Sequence, residues 1–243
     1  MLADATTVKS MKVSVARGAN DVIEIRDHAG SVVGGATIGS EIAGVLSYLN
    51  ALIIGHMDTF GVHSGVVGGP DGAIAFPGRS GEGKTTLTAA CLRLGYDYVS
   101  DEVLAFPWQP KGYEVTSIKP YPRPLAVSPW SAGVLGLPTS QTSAGEIYTS
   151  ATDLGAKVAT RPIAVRHMVL LGPITGTTRL TPMTRQRAAA NLLQRSFNGW
   201  QHPSQAFARA HSIAAHTSCW LLERGDPIEC AGLLKDRLSP DCN

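Results

Sequence analysis

Several protein classes are excluded by what this chain lacks. Its 243 residues include four cysteines, Cys91, Cys219, Cys230 and Cys242, and none forms a C-x-x-C pair. That spacing offers neither a disulfide framework nor a zinc site. No run of 18 apolar residues occurs, so no helical membrane span and no membrane partner are expected. Charge is nearly balanced, with 21 basic against 19 acidic residues and a net charge of +2. So small an excess argues against a nucleic-acid partner. Residues Met1 to Ser10 lack the apolar core of a secretory signal, and a cytoplasmic location is the expectation. What is present is apolar material, 44% of the residues, enough for a sizeable core in one large domain or two small ones.

One string carries chemistry. Residues Gly78-Arg79-Ser80-Gly81-Glu82-Gly83-Lys84-Thr85-Thr86 fit G-x-x-x-x-G-K-[ST], with an internal Ser-Gly. In such a loop the glycines let backbone N–H groups turn toward phosphate oxygens. Lys84 supplies a charge for the β- and γ-phosphates, and Thr85 offers its hydroxyl to Mg²⁺. Ser80 either bonds phosphate or finishes the turn. A helix starting near Thr85 would aim its positive end at the same anion. Gly78, Ser80, Gly81, Glu82, Gly83, Lys84, Thr85 and Thr86 are therefore the candidate residues for binding a nucleoside triphosphate.

The flanking residues supply the context that this motif needs. Gly72 to Phe76 is a short apolar run between turn signals and reads as a buried strand. Leu87, Ala90, Cys91 and Leu94 share one helical face, and Gly95 is placed to stop that helix. Tyr96 to Glu102 then reads as a strand ending in two acids. Strand, phosphate loop, helix and acidic strand end is the order that phosphoryl transfer uses.

Elsewhere the patterns are shorter. Met11–Val15, Val22–Ile25 and Val32–Val33 read as an antiparallel meander. Residues 40–54 follow the helical period, with Ser40 as cap. Val62–Val67 reads as a strand joined to the next by a hairpin at Gly68–Gly72. Tyr113–Val115, Leu125–Val127, Ala164–Leu171 and Ser218–Leu222 are further strand candidates. Lys119 to Pro124 is held extended by its prolines. Leu137 to Lys157 is weakly patterned and reads as a loop or lid. Helices are expected from Thr181-Pro182, over 204–214 and from Pro227 to Leu238.

Residues 62–104 resemble the C-terminal kinase domain of HPr kinase/phosphorylase, a family that shares its site design with phosphoenolpyruvate carboxykinase. Three elements carry the likeness: the strand with His63, the G-x-S-G-x-G-K-[ST] form of the loop, and Gly95 to Glu102 with its acidic pair. Two departures stand beside it. The family usually carries Asp-Asp where this chain has Asp101-Glu102, and where it has a large N-terminal domain and a Pro-Val-Arg loop, about 60 residues precede the His63 strand here and no convincing match to that loop is found. Lys119 to Pro124 looks more like the stand-alone members found with ribosomally made peptides, including lasso peptides, which phosphorylate a serine of the precursor.

The resemblance implies an α/β P-loop kinase core with a mixed sheet, flanking helices and an antiparallel N-terminal extension. A single kinase domain is expected, with strands and a helix over 1–58, the core over 59–172 and a helical portion over 173–243. Asp101 is implied as the base that accepts the hydroxyl proton, with His63 beside the acidic pair and Lys84 as the third catalytic residue. Thr85 and Glu102 are the candidate Mg²⁺ ligands. Arg123 is a candidate for stabilising transition-state charge, along with Lys119, Arg185 and Arg187. The expected activity is ATP- and Mg²⁺-dependent phosphorylation of a serine in a peptide or small protein. A small-molecule kinase, a nucleotide-binding regulator and reverse dephosphorylation by phosphate are the alternatives, and homo-oligomerisation stays open. The four tryptophans, including Trp130, read as core or interface residues.

Overall fold

The computed structural model describes residues 14–17, 22–26, 32–37, 54, 58–110, 115–137 and 147–239. The helix expected over 40–54 and the strand expected at Tyr113 lie outside these residues, save at their last positions. The chain divides into two compact units, residues 1–53 and 54–243. In the first, β1 (Ser14–Arg17), β2 (Val22–Arg26) and β3 (Val32–Thr37) form an antiparallel sheet in that order. This is the meander that the alternating residues predict.

The second unit is mixed α/β, built on one mixed sheet flanked by helices. Its strands are β4 (Thr59–Gly69), β5 (Gly72–Pro77), β6 (Asp97–Ser100), β7 (Val103–Pro107), β8 (Ser117–Ile118), β11 (Ile163–Ile174), β12 (Arg179–Pro182) and β13 (Ser218–Arg224). The order is β12-β13-β11-β5-β4-β6, with β7 added along β4 and β8 along β11. β11 runs parallel to both β5 and β13, whereas β4 is antiparallel to β5. A separate antiparallel pair joins β9 (Leu125–Val127) to β10 (Ile147–Thr149). The helices are α1 (Lys84–Arg93), α2 (Pro129–Val134), α3 (Arg185–Gln194), α4 (Pro203–Ala215) and α5 (Pro227–Leu238).

Strand alternation sorts the core into two layers. Val67, Ile74 and Phe76 face one side, where they pack with Leu87, Ala90 and Cys91 of α1 and with Cys230, Ala231 and Leu234 of α5. Val66, Ala73 and Ala75 face the other, with Ala188 and Leu192 of α3 and Ala206, Ala210 and Ile213 of α4. A strand covered on both faces reads as an unbroken apolar run, which is why Gly72 to Phe76 shows no alternation. Among the described residues, no helix is long and apolar enough to cross a membrane.

Four segments differ from the sequence expectation. Thr181 and Pro182 end β12, where Thr181 pairs with Leu221, and the helix starts later. Its cap is Thr184, whose side chain accepts a bond from the Arg187 N–H, so the cap is set two residues beyond the proline. Residues 147–157 are no lid: Ile147, Ala151 and Leu154 are buried in the core with α1. β6 stops at Ser100, short of the acidic pair. Ser100 Oγ donates to the Val103 carbonyl and accepts from the Glu102 and Val103 N–H groups, which turns the chain there. Finally, the portion from 173 onward is not only helical, because β12 and β13 extend the same sheet.

Helix α1 ends as expected. Gly95 takes φ +95°, its N–H bonds the Leu92 carbonyl, and the Tyr96 N–H bonds the Cys91 carbonyl. These two bonds make a Schellman motif that needs a left-handed residue at position 95. Space beside Gly95 is open, so only backbone strain opposes a side chain. Gly95→Ala should cost about 1 kcal/mol, read as a lower urea midpoint at unchanged slope; an unchanged midpoint would refute the strain argument.

Candidate active site

The loop after β5 is shaped by glycines and pinned at both ends. At its start, Gly78 N–H donates to the His63 carbonyl on the neighbouring strand at 3.1 Å. Within it, Arg79 N–H donates to Glu82 Oε2 at 2.8 Å, and Glu82 N–H donates to the Arg79 carbonyl at 3.2 Å. Gly83 caps α1 in the left-handed region at φ +88°. A Cβ there would lie 2.8 Å from Arg224 Nη1, the movable end of a side chain, so it is the backbone conformation that demands glycine. No side chain caps α1, and its first turn holds no acid. The open amides and the positive helix end are therefore left for an external anion.

Lys84 lies under the loop, only 4% exposed. Its Nζ donates to the Arg79 carbonyl at 2.7 Å. Burial lowers its pKa, and the carboxylates of Asp101, Glu102 and Glu82 oppose that shift. Thr85 and Thr86 part company. The Thr85 side chain lies toward Asp101 and favours its charged form. The Thr86 hydroxyl instead pairs with Ser131 Oγ at 2.8 Å, toward α2.

Asp101 sits in the turn that Ser100 makes. It is buried, and its Oδ1 has no hydrogen-bond partner. Burial raises its pKa to about 7, while Thr85, Lys84 and Arg123 pull it down and Glu102 pushes it up. Room for the carboxyl comes from Gly65 on β4, where a Cβ would stand 3.3 Å from Asp101 Oδ1 and 2.4 Å from Thr88 Oγ1.

Glu102 is half-buried and bonded to Arg123, whose Nη1 lies 2.8 Å from Glu102 Oε2. Burial raises the Glu102 pKa against the pull of Arg123 and Lys84. The Pro-bounded segment delivers Arg123. Tyr121 N–H donates to the Val99 carbonyl at 3.0 Å, and Tyr98 Oη donates to the Arg123 carbonyl at 2.8 Å. Of the other cations expected near the site, Lys119 lines a separate cavity with Pro120 and Pro162. Arg185 lines another with His167 and His216, and Arg187 is exposed on α3.

His63 stands on β4 with its ring 5.5 Å from that of Phe197. Burial, helped by Lys84 and Arg123, lowers its pKa to about 4 against the opposing pull of Glu82. At neutral pH the imidazole is thus uncharged.

Two further cations meet at the loop. Arg195, just after α3, places Nη2 3.4 Å from Glu82 Oε2. Arg224 on β13 donates through Nη1 to the Glu82 carbonyl and through Nε to the Gly172 carbonyl at 2.8 Å. Neither is signalled by a motif, because each reaches the loop only through the fold. Among the described residues, no group of three or more His, Cys, Asp or Glu is placed to hold a metal.

No protein-family model matches the chain, and neither does any curated protein sequence. The reading of the site therefore rests on its geometry. That geometry sets an uncapped helix start and a buried cation beside a buried carboxyl whose pKa burial raises to about 7. The unsatisfied Asp101 Oδ1 is a standing acceptor for a donor hydroxyl or a cation.

Burying Asp101 has a cost that depends on pH. Its folded pKa is raised above the usual carboxylate value, so its contribution is most favourable at low pH and is lost as pH rises toward 7. Asp101→Asn should raise the melting temperature at pH 8, and the gain should shrink toward pH 5. A gain that is constant with pH, or absent, would contradict a buried ionisable group.

Proposed function

We propose that the chain is an ATP- and Mg²⁺-dependent kinase that phosphorylates a serine hydroxyl of a peptide or small protein. One observation carries the reading. The uncapped start of α1, with buried Lys84 beneath it, faces a buried Asp101 with an unpartnered oxygen and a pKa near neutrality. A triphosphate donor uses the first half and a hydroxyl nucleophile uses the second. The serine and peptide character of the acceptor follows from the likeness of residues 62–104 to the HPr kinase family.

In this reading the loop amides and Lys84 hold the donor phosphates. Asp101 takes the proton from the acceptor hydroxyl as its oxygen bonds to the γ-phosphorus. The bond from that phosphorus to the β–γ bridging oxygen breaks, the nucleoside diphosphate leaves, and Asp101 returns its proton to solvent. Bound Mg²⁺ would neutralise phosphate charge, and Thr85 with Glu102 are the residues proposed to hold it. One or two protein oxygens beside donor phosphates suffice for this ion, so the lack of a three-ligand cluster fits the proposal. Arg123 fixes Glu102 and adds positive charge near the transferring group.

The test is transfer of label from γ-labelled ATP, with Mg²⁺, to peptides that carry serine or alanine at one position. Label should move to the serine peptide alone. Asp101→Asn should abolish transfer while ATP still binds; normal transfer would remove Asp101 from the role of base. Lys84→Ala should weaken binding and transfer together. Because the base must be deprotonated, the rate should rise with pH through about 7 and then level off. A rate already flat across pH 5 to 8 would rule out this carboxyl as the base.

A further inference from the structure

A further cavity adjoins the phosphate loop, and Asp101 is not among the residues that line it. It encloses about 370 Å³, within the roughly 300–1,000 Å³ typical of small-molecule sites. Gly81, Gly83 and Thr86 form one wall, so it opens directly on the cradle at the start of α1. Trp130 and Ile174, which are 65% and 77% exposed, line it as well. Large apolar side chains left in water at the mouth of a pocket mark a contact surface. Arg224 and Asp226 supply polar edges.

The position of Trp130 is fixed from the loop itself. Thr86 Oγ1 pairs with Ser131 Oγ at 2.8 Å, and Ser131 Oγ pairs with Ser128 Oγ at 2.9 Å. Ser128 also caps α2 by accepting the Ser131 N–H at 3.1 Å. Trp130 lies between these two serines in sequence. The hydroxyl chain thus joins the helix that ends the phosphate loop to the short helix that carries the indole. Arg224 braces the other wall by bonding the Glu82 carbonyl and the Gly172 carbonyl on β11, the strand that ends at Ile174.

We infer that this cavity holds the nucleobase of the donor, with its ring laid against Trp130 and Ile174. This rests on the reading of the loop as a triphosphate site. A triphosphate seated on α1 extends its nucleoside either toward Asp101 or away from it. The Asp101 side must stay open for the acceptor, and the cavity lined by the loop glycines, an indole and an isoleucine, and not by Asp101, is of suitable size. Aromatic stacking tolerates any base, so Trp130 adds affinity for the ring as such.

The proposal is tested by comparing Mg²⁺-ATP with inorganic tripolyphosphate, which has the phosphates and no base. Trp130 is surface-exposed, so Trp130→Ala should fold. That variant should bind ATP about tenfold more weakly, in line with the loss of one stacked base, and bind tripolyphosphate unchanged. Trp130→Phe should recover most of the ATP affinity, and Ile174→Ser should weaken ATP alone. If Trp130→Ala leaves ATP affinity intact, or weakens both ligands equally, the base site is elsewhere. In that event a loss of both ligands in Lys84→Ala would still support the phosphate cradle. If the unaltered protein binds neither ligand, the donor reading fails and this inference fails with it.

Discussion

A lysine buried as deeply as Lys84 keeps its charge only in company. Desolvation drives it toward neutrality, and the carboxylates of Asp101, Glu102 and Glu82 work against that. The rest of the site follows from this grouping. Glu82 draws Arg195 and Glu102 draws Arg123, each within ion-pair distance. Asp101 finds no such partner for Oδ1 and instead titrates near neutrality. Four cations, Lys84, Arg123, Arg195 and Arg224, therefore gather around three carboxylates. The surplus is positive at the mouth of an uncapped helix, which favours an anionic ligand.

The sheet makes this grouping affordable. Val66 and Val67 on β4, and Ala73 to Phe76 on β5, send alternate side chains into two helical layers. The two strands are thereby fixed from both faces. The loop that follows β5 and the turn that follows β6 then emerge at the same end of the sheet. Gly65 keeps that end open, since any side chain on β4 there would meet Thr88 and crowd Asp101.

Much of the phosphate loop was legible because its signals are local. Glycines at 78, 81 and 83, an apolar run before them and Gly95 after the helix each act within a few residues. The same holds for the hairpin at Gly69–Gly72 and for α5 with its cap at Asp226. What escaped is what depends on distant partners. Arg195 and Arg224 reach Glu82 across 113 and 142 residues, and no spacing rule connects them. The start of α3 is not legible because Thr181-Pro182 resembles a helix start, whereas pairing with β13 holds it as strand. The acidic pair was read as a strand end, where neighbours point oppositely; the Ser100 turn removes that constraint. Helix α2 spans six residues, too few to show a period, so the sequence leaves Trp130 as core or interface, and its exposure decides against the core.

The backbone of His63 is engaged on both sides. Its N–H donates to the Arg195 carbonyl at 2.9 Å, and its carbonyl accepts the Gly78 N–H. Main-chain bonds are indifferent to the side chain that rides on them. The tie between the start of the loop and the end of α3 is therefore written into peptide geometry, and the imidazole is free of that structural duty. Architecture and chemistry are separable at this one position. The ring can be exchanged for another without unfastening the loop, and whatever then changes belongs to the imidazole.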